Sequence, residues 1–168
     1  RNHNTILKIS DALQRYNDMV NANGSGSTTP VFQFKEGESM NTIYAVRSLG
    51  IDPGTGKELY IDRNGNTTYT WNAQDQVPVG VNEPDLNGYA GLNIRYKSWE
   101  IGTHLNYSFG ADKYNYTLHQ KIENVNYMTN NDRRALTERW QKPGDVALYK
   151  AITDNSATKA TSRFVQHE

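Results

Sequence analysis

The chain has no cysteine, which excludes a disulfide framework, thiolate catalysis and any cysteine-ligated metal. It has no apolar run near the ~18 residues a membrane-crossing helix needs, which excludes helical spans and leaves crossing by β-strands untouched. Charge of neither sign is in excess, with 18 Lys+Arg against 18 Asp+Glu. Electrostatic capture of nucleic acid or of an anionic surface therefore gains no support. The four histidines, His3, His104, His119 and His167, show neither i, i+4 nor HExxH spacing. A Gly-x-Ser-x-Gly elbow is missing, and the acid pairs Glu36/Glu38 and Asp52/Glu58 fall in polar, turn-like segments. No catalytic residue is expected.

What the chain does have is aromatic content in a very polar background: 11 Tyr, 3 Trp and 4 Phe at a mean hydropathy of −0.82. Disordered segments are poor in aromatics, so the mixture suits recognition surfaces. The clearest local signal runs from Tyr89 to Phe109 as two alternating segments around Lys97-Ser98. With side chains alternating at period 2, one face carries Ala90, Leu92, Ile94, Tyr96, Trp99, Ile101, Thr103, Leu105, Tyr107 and Phe109. The other carries Asn93, Arg95, Glu100, His104 and Asn106. Aromatics stand at both ends of the apolar face, the pattern of a transmembrane β-hairpin with interfacial girdles and a polar lumen. A soluble hairpin packed on a core alternates in the same way. Eleven residues at ~3.4 Å, tilted ~40°, rise roughly 28 Å against an apolar band of ~25 Å. Counted from Tyr89 the first strand rises only about 20 Å, so it should reach back toward Leu86.

Elsewhere, Ile6, Ile9, Leu13, Tyr16 and Val20 have helical spacing, with Ser10 as N-cap before Asp11. A Gly/Ser/Thr linker follows from Asn23 to Thr29. Short strands are expected at Val31–Phe34 and Thr42–Ser48, and a small hairpin at Leu59–Trp71 around Asn64-Gly65. Val77 to Asn87 reads as a polar link. Helices are expected at Tyr114–Val125 and Asp132–Trp140, the second capped by Asn131 or Asp132 and stopped before Pro143-Gly144. Arg1 in place of Met, and the alternation beginning at Ser162–Glu168, read as the edges of an internal piece of a larger protein. Asp62, Asn64 and Asn66 offer alternate oxygens, but Gly65 comes too early and Ala73 replaces the bidentate Glu of a calcium loop. No metal site is assigned. A loosely held Ca²⁺ there is the one cofactor left open.

Several segments resemble, in order and spacing, the C-terminal part of SusC/RagA-type TonB-dependent outer-membrane transporters. They are Ile9-Ser10-Asp11-Ala12-Leu13 with Tyr16-Asn17, Lys35-Glu36-Gly37-Glu38-Ser39, and the run Leu49 to Glu58. Further along come Asp62-Arg63-Asn64-Gly65-Asn66, Tyr96-Lys97-Ser98-Trp99, Asp132-Arg133-Arg134, Arg139-Trp140, Pro143-Gly144-Asp145 and Ser162-Arg163-Phe164-Val165. The resemblance implies an all-β fold with short helices in loops, a segment of a 22-stranded transmembrane antiparallel β-barrel. Residues 1–4 would end a barrel strand and 5–86 form a long extracellular loop with a short helix and a small hairpin. Residues 87–110 would be the transmembrane hairpin, with its periplasmic turn at 97–98. Residues 111–161 would be a second extracellular loop, and 162–168 the start of the next strand.

The same resemblance implies a nutrient importer of the bacterial outer membrane, loops on the cell surface, taking up oligosaccharides or peptides. Its partners would be a SusD-like lipoprotein, the TonB system acting through a plug outside this chain, and membrane lipid. On this reading Leu92, Ile94, Tyr96, Trp99, Ile101, Leu105, Tyr107 and Phe109 face lipid, and Asn93, Arg95, Glu100, His104 and Asn106 face the lumen. Trp71, Tyr114, Tyr116 and Trp140 are candidates for ligand or partner contact, or staples that order long loops. A self-contained soluble carbohydrate-binding β-domain, with Trp71 and Trp140 as stacking platforms, is the rival.

Overall fold

The computed structural model describes residues 4–22, 28–126, 128–129, 132–154 and 156–168. Residues 1–3 of the strand end expected at 1–4, most of the linker, His3 and the cap Asn131 lie outside them. The first helix, α1 (Asp11–Ala22), begins later than the apolar spacing suggested. Ser10 ends the preceding extended stretch and caps it, its Oγ accepting from the Leu13 N–H at 3.4 Å. Ile6 stays outside the helix because its backbone is bonded to the turn at 37–38. Asn17, on the inner face of α1, holds both backbone polar groups of Phe34: its Nδ2 donates to Phe34 O and its Oδ1 accepts from Phe34 N–H.

Strand β1 (Thr42–Ile51) organises the first loop region. Its first five residues are all buried and pair antiparallel with β4 (Gln76–Val81), while its second half pairs with β2 (Glu58–Ile61), which in turn pairs with β3 (Thr67–Thr68). The small hairpin expected at 59–71 is thus part of a four-stranded sheet, β3-β2-β1-β4. Residues 76–81 are a strand and not a link. Pro78 lacks the N–H of a central strand, but β4 lies at the sheet edge and the ladder shifts register between Ile43 and Tyr44, which absorbs it. Of Val31–Phe34 only one bridge forms, Val31 to Tyr44. The Asn64-Gly65 turn is a loop wound on Asp62, whose carboxylate accepts from the Asn64 and Asn66 N–H groups, both at 2.8 Å.

Strands β5 (Leu86–Tyr96) and β6 (Trp99–Phe109) form the long hairpin, with eleven antiparallel pairs running from Tyr96↔Trp99 to Leu86↔Phe109. The turn is the two-residue Lys97-Ser98, with Lys97 at φ 53°, the positive value that primed hairpin turns require at that position. Past Gly110, β7 (Asp112–Tyr114) continues the line of β6 and pairs with β8 (Val165–His167), and Glu168 bonds back to Gly110 and Ala111. The segment 162–168 therefore opens with one 3-10 turn, Ser162–Phe164, before it becomes strand.

The second loop region is less helical than its spacing suggested. Leu118–Glu123 is a single wide π turn, and α2 is only Arg134–Thr137. Its apolar residues close a small core of Tyr114, Ile122, Ala135, Tyr149, Ala160 and Phe164. Helix stops at Thr137 because Arg139 turns inward. Buried, it donates to the carbonyls of Ala135, Lys150, Ile122 and Glu123. The two loop regions are joined by Arg163. Its guanidinium meets Glu58 of β2 at 3.0 Å and Glu123 of the π turn at 3.0 Å, with side-chain exposures of 14%, 2% and 0% respectively. The remaining Glu123 oxygen accepts from Thr158 Oγ1 at 3.2 Å. Burial opposes charge on Arg163, but the two carboxylates outweigh it and hold the guanidinium above its ordinary pKa.

Arg163→Met leaves two buried carboxylates without a cation. The loss expected is about 3–5 kcal/mol, read as a lower urea midpoint for the near-ultraviolet signal of the loop region. Arg163→Lys should recover little, because one ammonium cannot reproduce the two-sided fork. An unchanged midpoint in either variant would show that the seam is redundant.

Candidate functional site

The long hairpin is exposed on both faces. Its apolar face holds Leu92 (56% exposed), Trp99 (75%) and Leu105 (63%), with Ile94, Tyr96, Ile101, Tyr107 and Phe109 also uncovered. Cross-strand pairs keep that face continuous: Leu86/Phe109, Ala90/Leu105, Ile94/Ile101 and Tyr96/Trp99 stand opposite one another. Tyr107 lies across Gly88, where an added Cβ would meet its hydroxyl at 2.4 Å. The aromatic covers the hole that glycine leaves. Tyr96 and Trp99 close the face at the turn, where the Lys97 ammonium sits 5.3 Å from the Tyr96 ring centroid.

The opposite face is polar along its length. Arg95 and Glu100 are a directly opposed, solvent-facing pair at 2.9 Å. His104 lies over Gly91, and Asn93 reaches over Gly102. Asn106 pairs with Tyr89. A two-stranded ribbon with one apolar face is marginal alone in water and needs an apolar medium or a further packing layer. Chemically, the arrangement separates an apolar surface from a polar one across one strand thickness.

Above this hairpin, the four aromatics singled out in the sequence have separate fates. Trp71 donates its indole N–H to Ala160 O at 3.1 Å, tying the first loop region to the second. Trp140 donates to Pro53 O at 2.8 Å and lies flat on Gly56, where a Cβ would come within 2.5 Å of its ring. Gly56 also has φ 70°, so the contact requires glycine twice over. Tyr114 is buried in the core, and burial pushes its phenol well above the usual range. Tyr116 alone of the four is exposed, set edge-on to Tyr114 at 5.0 Å.

Two hollows open near the base of the loop region. The larger, about 480 Å³, is lined by Glu38, Glu83 and Asp112 among others. Its carboxylates are engaged: Glu38 by the Tyr44 hydroxyl, Glu83 by Asn4 and Ser39, Asp112 by Val81 N–H and His167. The smaller, about 340 Å³, lies between Phe32, Asn41, Asn82 and Tyr116. Among the described residues no group of three or more His, Asp or Glu side chains is arranged to hold a metal ion. At Asp62, backbone and Asn66 side-chain hydrogen bonds hold the carboxyl below its ordinary pKa. Asp132 is held at about 2 by the Arg134 side chain.

Nothing local in the sequence marks the meeting of Arg163 with Glu58 and Glu123, and little marks the interior position of His119. The His119 ring is wholly buried against Phe164 at 4.8 Å, with Nε2 bonded to Thr158 O at 2.9 Å. Burial lowers its pKa, and the bond to Thr158 only partly opposes this. The only local hint was the apolar spacing Leu118, Ile122, Val125 around it.

No protein-family model matches the chain, and no curated protein does. Solved structures do. The fold is similar to one part of an importer chain. The RagAB peptide importer in its "open-open" state aligns over 80% of this chain and 15% of that one, at 18% identity and a TM-score of 0.63. A second structure, of the RagAB peptide transporter, gives 17% identity and 0.60 over 80% of this chain and 15% of that one. The "closed-closed" state of the importer gives 19% and 0.57 over 75% and 15%. At these identities the likeness is one of fold, and the chain spans about 15% of the length of those structures' chains.

An imidazole that is neutral in the fold and titrates near 6.5 when unfolded makes stability depend on pH with a definite sign. The contribution of His119 is complete above about pH 6.5 and is lost as pH falls below it, because only the unfolded chain gains the proton. The urea midpoint should drop between pH 7.5 and 5.5, and His119→Gln should flatten that slope. An identical slope in the variant would assign the effect to other groups.

Proposed function

We propose that this chain is a wall-and-loop segment of a TonB-dependent nutrient importer of the bacterial outer membrane. One observation carries the reading: β5 and β6 present a long exposed apolar face, aromatic at both ends and with Thr103 its one hydroxyl between them. Such a face is what the lipid side of a β-barrel wall requires. The strand length agrees, since each of the two strands has eleven residues, enough to cross an apolar band of ~25 Å. The fold likeness to part of the RagAB importer supports the same assignment.

On this reading the wall belongs to a 22-stranded barrel. Leu92, Ile94, Tyr96, Trp99, Ile101, Leu105, Tyr107 and Phe109 face lipid, and Asn93, Arg95, Glu100, His104 and Asn106 face the water-filled lumen. The turn at Lys97-Ser98 is periplasmic. The layer held by Arg163 stands at the cell surface, where it meets a SusD-like lipoprotein and the oligosaccharide or peptide being imported. Its residues transport and position; none is assigned catalysis. The rival soluble carbohydrate-binding domain needs Trp71 and Trp140 as open platforms. Each instead gives its indole N–H to a distant backbone carbonyl.

Leu105→Arg places a charge on the lipid side near the middle of β6 and should cost about 2–4 kcal/mol of barrel stability. Asn106→Ser, one residue along on the lumen side, should cost little. Urea unfolding of the full-length protein refolded into lipid vesicles reads the difference. Equal effects, or a cooperative soluble monomer of the 168 residues without detergent, would sink the barrel reading.

A further inference from the structure

The smaller hollow has features the transport reading does not use. It lies where the segment beside β1, the link from β4 to β5, and the end of β7 converge. Phe32 and Tyr116 form its exposed walls, at 59% and 47% exposure, and Val31 and Ile43 its floor. Two carboxamides, Asn41 and Asn82, reach its rim. Their backbones are bonded to each other, Asn82 N–H to Asn41 O at 2.9 Å. Their side-chain amides make no hydrogen bond to another described residue. The nearby cation, Lys113, is committed to Glu168.

We infer that this hollow takes an apolar or aromatic side chain of an extended peptide, with Asn41 and Asn82 holding the adjoining peptide groups. This names the substrate class of the import reading and rests on it. A residue in extended chain offers its N–H and C=O on one edge, and a carboxamide answers both with its own oxygen and NH₂. The protein already does this internally, where Asn17 bonds the C=O and the N–H of Phe34, at 2.6 and 3.0 Å. The volume, about 340 Å³, lies at the small end of ligand pockets and suits one or two residues. An apolar floor leaves sugar hydroxyls without partners, which is costly on burial. No carboxylate lines the hollow to collect them. The site is therefore built for a side chain more than for a pyranose.

The test uses the intact protein, purified in detergent, with three probes: a capped pentapeptide with a central phenylalanine, its counterpart with a central aspartate, and maltohexaose. Calorimetry should show the phenylalanine peptide bound about tenfold tighter than the aspartate one. Phe32→Ala combined with Tyr116→Ala should bring that ratio close to one. Asn41→Ala with Asn82→Ala should weaken both peptides by a similar factor and leave the ratio standing. All four side chains are at the surface of the hollow, and an unchanged near-ultraviolet spectrum checks the fold. A ratio that survives loss of both rings, no binding of either peptide by the parent protein, or loss of maltohexaose binding alone would overturn the inference. Heat-modifiable gel migration of the same samples reports barrel formation separately. A failed barrel with intact peptide binding counts against the import reading and not against the hollow.

Discussion

One guanidinium, that of Arg163, fixes by charge how the two loop regions of this protein meet. Among the described residues Arg163 is the one cation ion-paired with the carboxylates of Glu58 and Glu123, and these belong to different loop regions. The apolar cluster of the second loop region is small, six residues with three more at its margin, and the contact across to β2 is made by charge. A buried pair contributes little net stability against a well-packed apolar substitute, but breaking one is severe. Such a contact selects one arrangement by making the others worse. Arg139 applies the same logic with carbonyls, using its fork to collect four backbone oxygens that irregular chain leaves unpaired.

The lower half obeys the opposite rule. The hairpin buries almost nothing, and its order comes from backbone pairing and from the large side chains laid over Gly88 and Gly91. One end of the molecule spends its polar groups inward and the other presents hydrocarbon outward. Gly110, at φ 83°, marks the boundary, where β6 hands over to β7 and the surroundings that the side chains require change within two residues.

The hairpin was legible in the sequence because its information is local. Period-2 alternation fixes which residues share a face, and a two-residue turn fixes register, so even the extension back to Leu86 followed from length. Ser10 as a cap was legible for the same reason. The strand at 76–81 was hidden by Pro78, whose cost is removed by an edge position and a register shift that no short window displays. The helices expected at 114–125 and 132–140 failed because their apolar spacing is real but serves a core closed by a single π turn and by the inward swing of Arg139. The seam itself was invisible. Glu58 and Arg163 stand 105 residues apart, and charged residues in polar loops carry no local sign that they will be buried.

That separation also sets an order of assembly. Hairpin pairing joins residues close in the chain, starting at a two-residue turn, so its loop-closure entropy is small and it can form as soon as its strands exist. The Arg163 seam cannot begin to form until more than a hundred further residues have been placed beyond Glu58. The cap is thus the last part of this segment to acquire its shape.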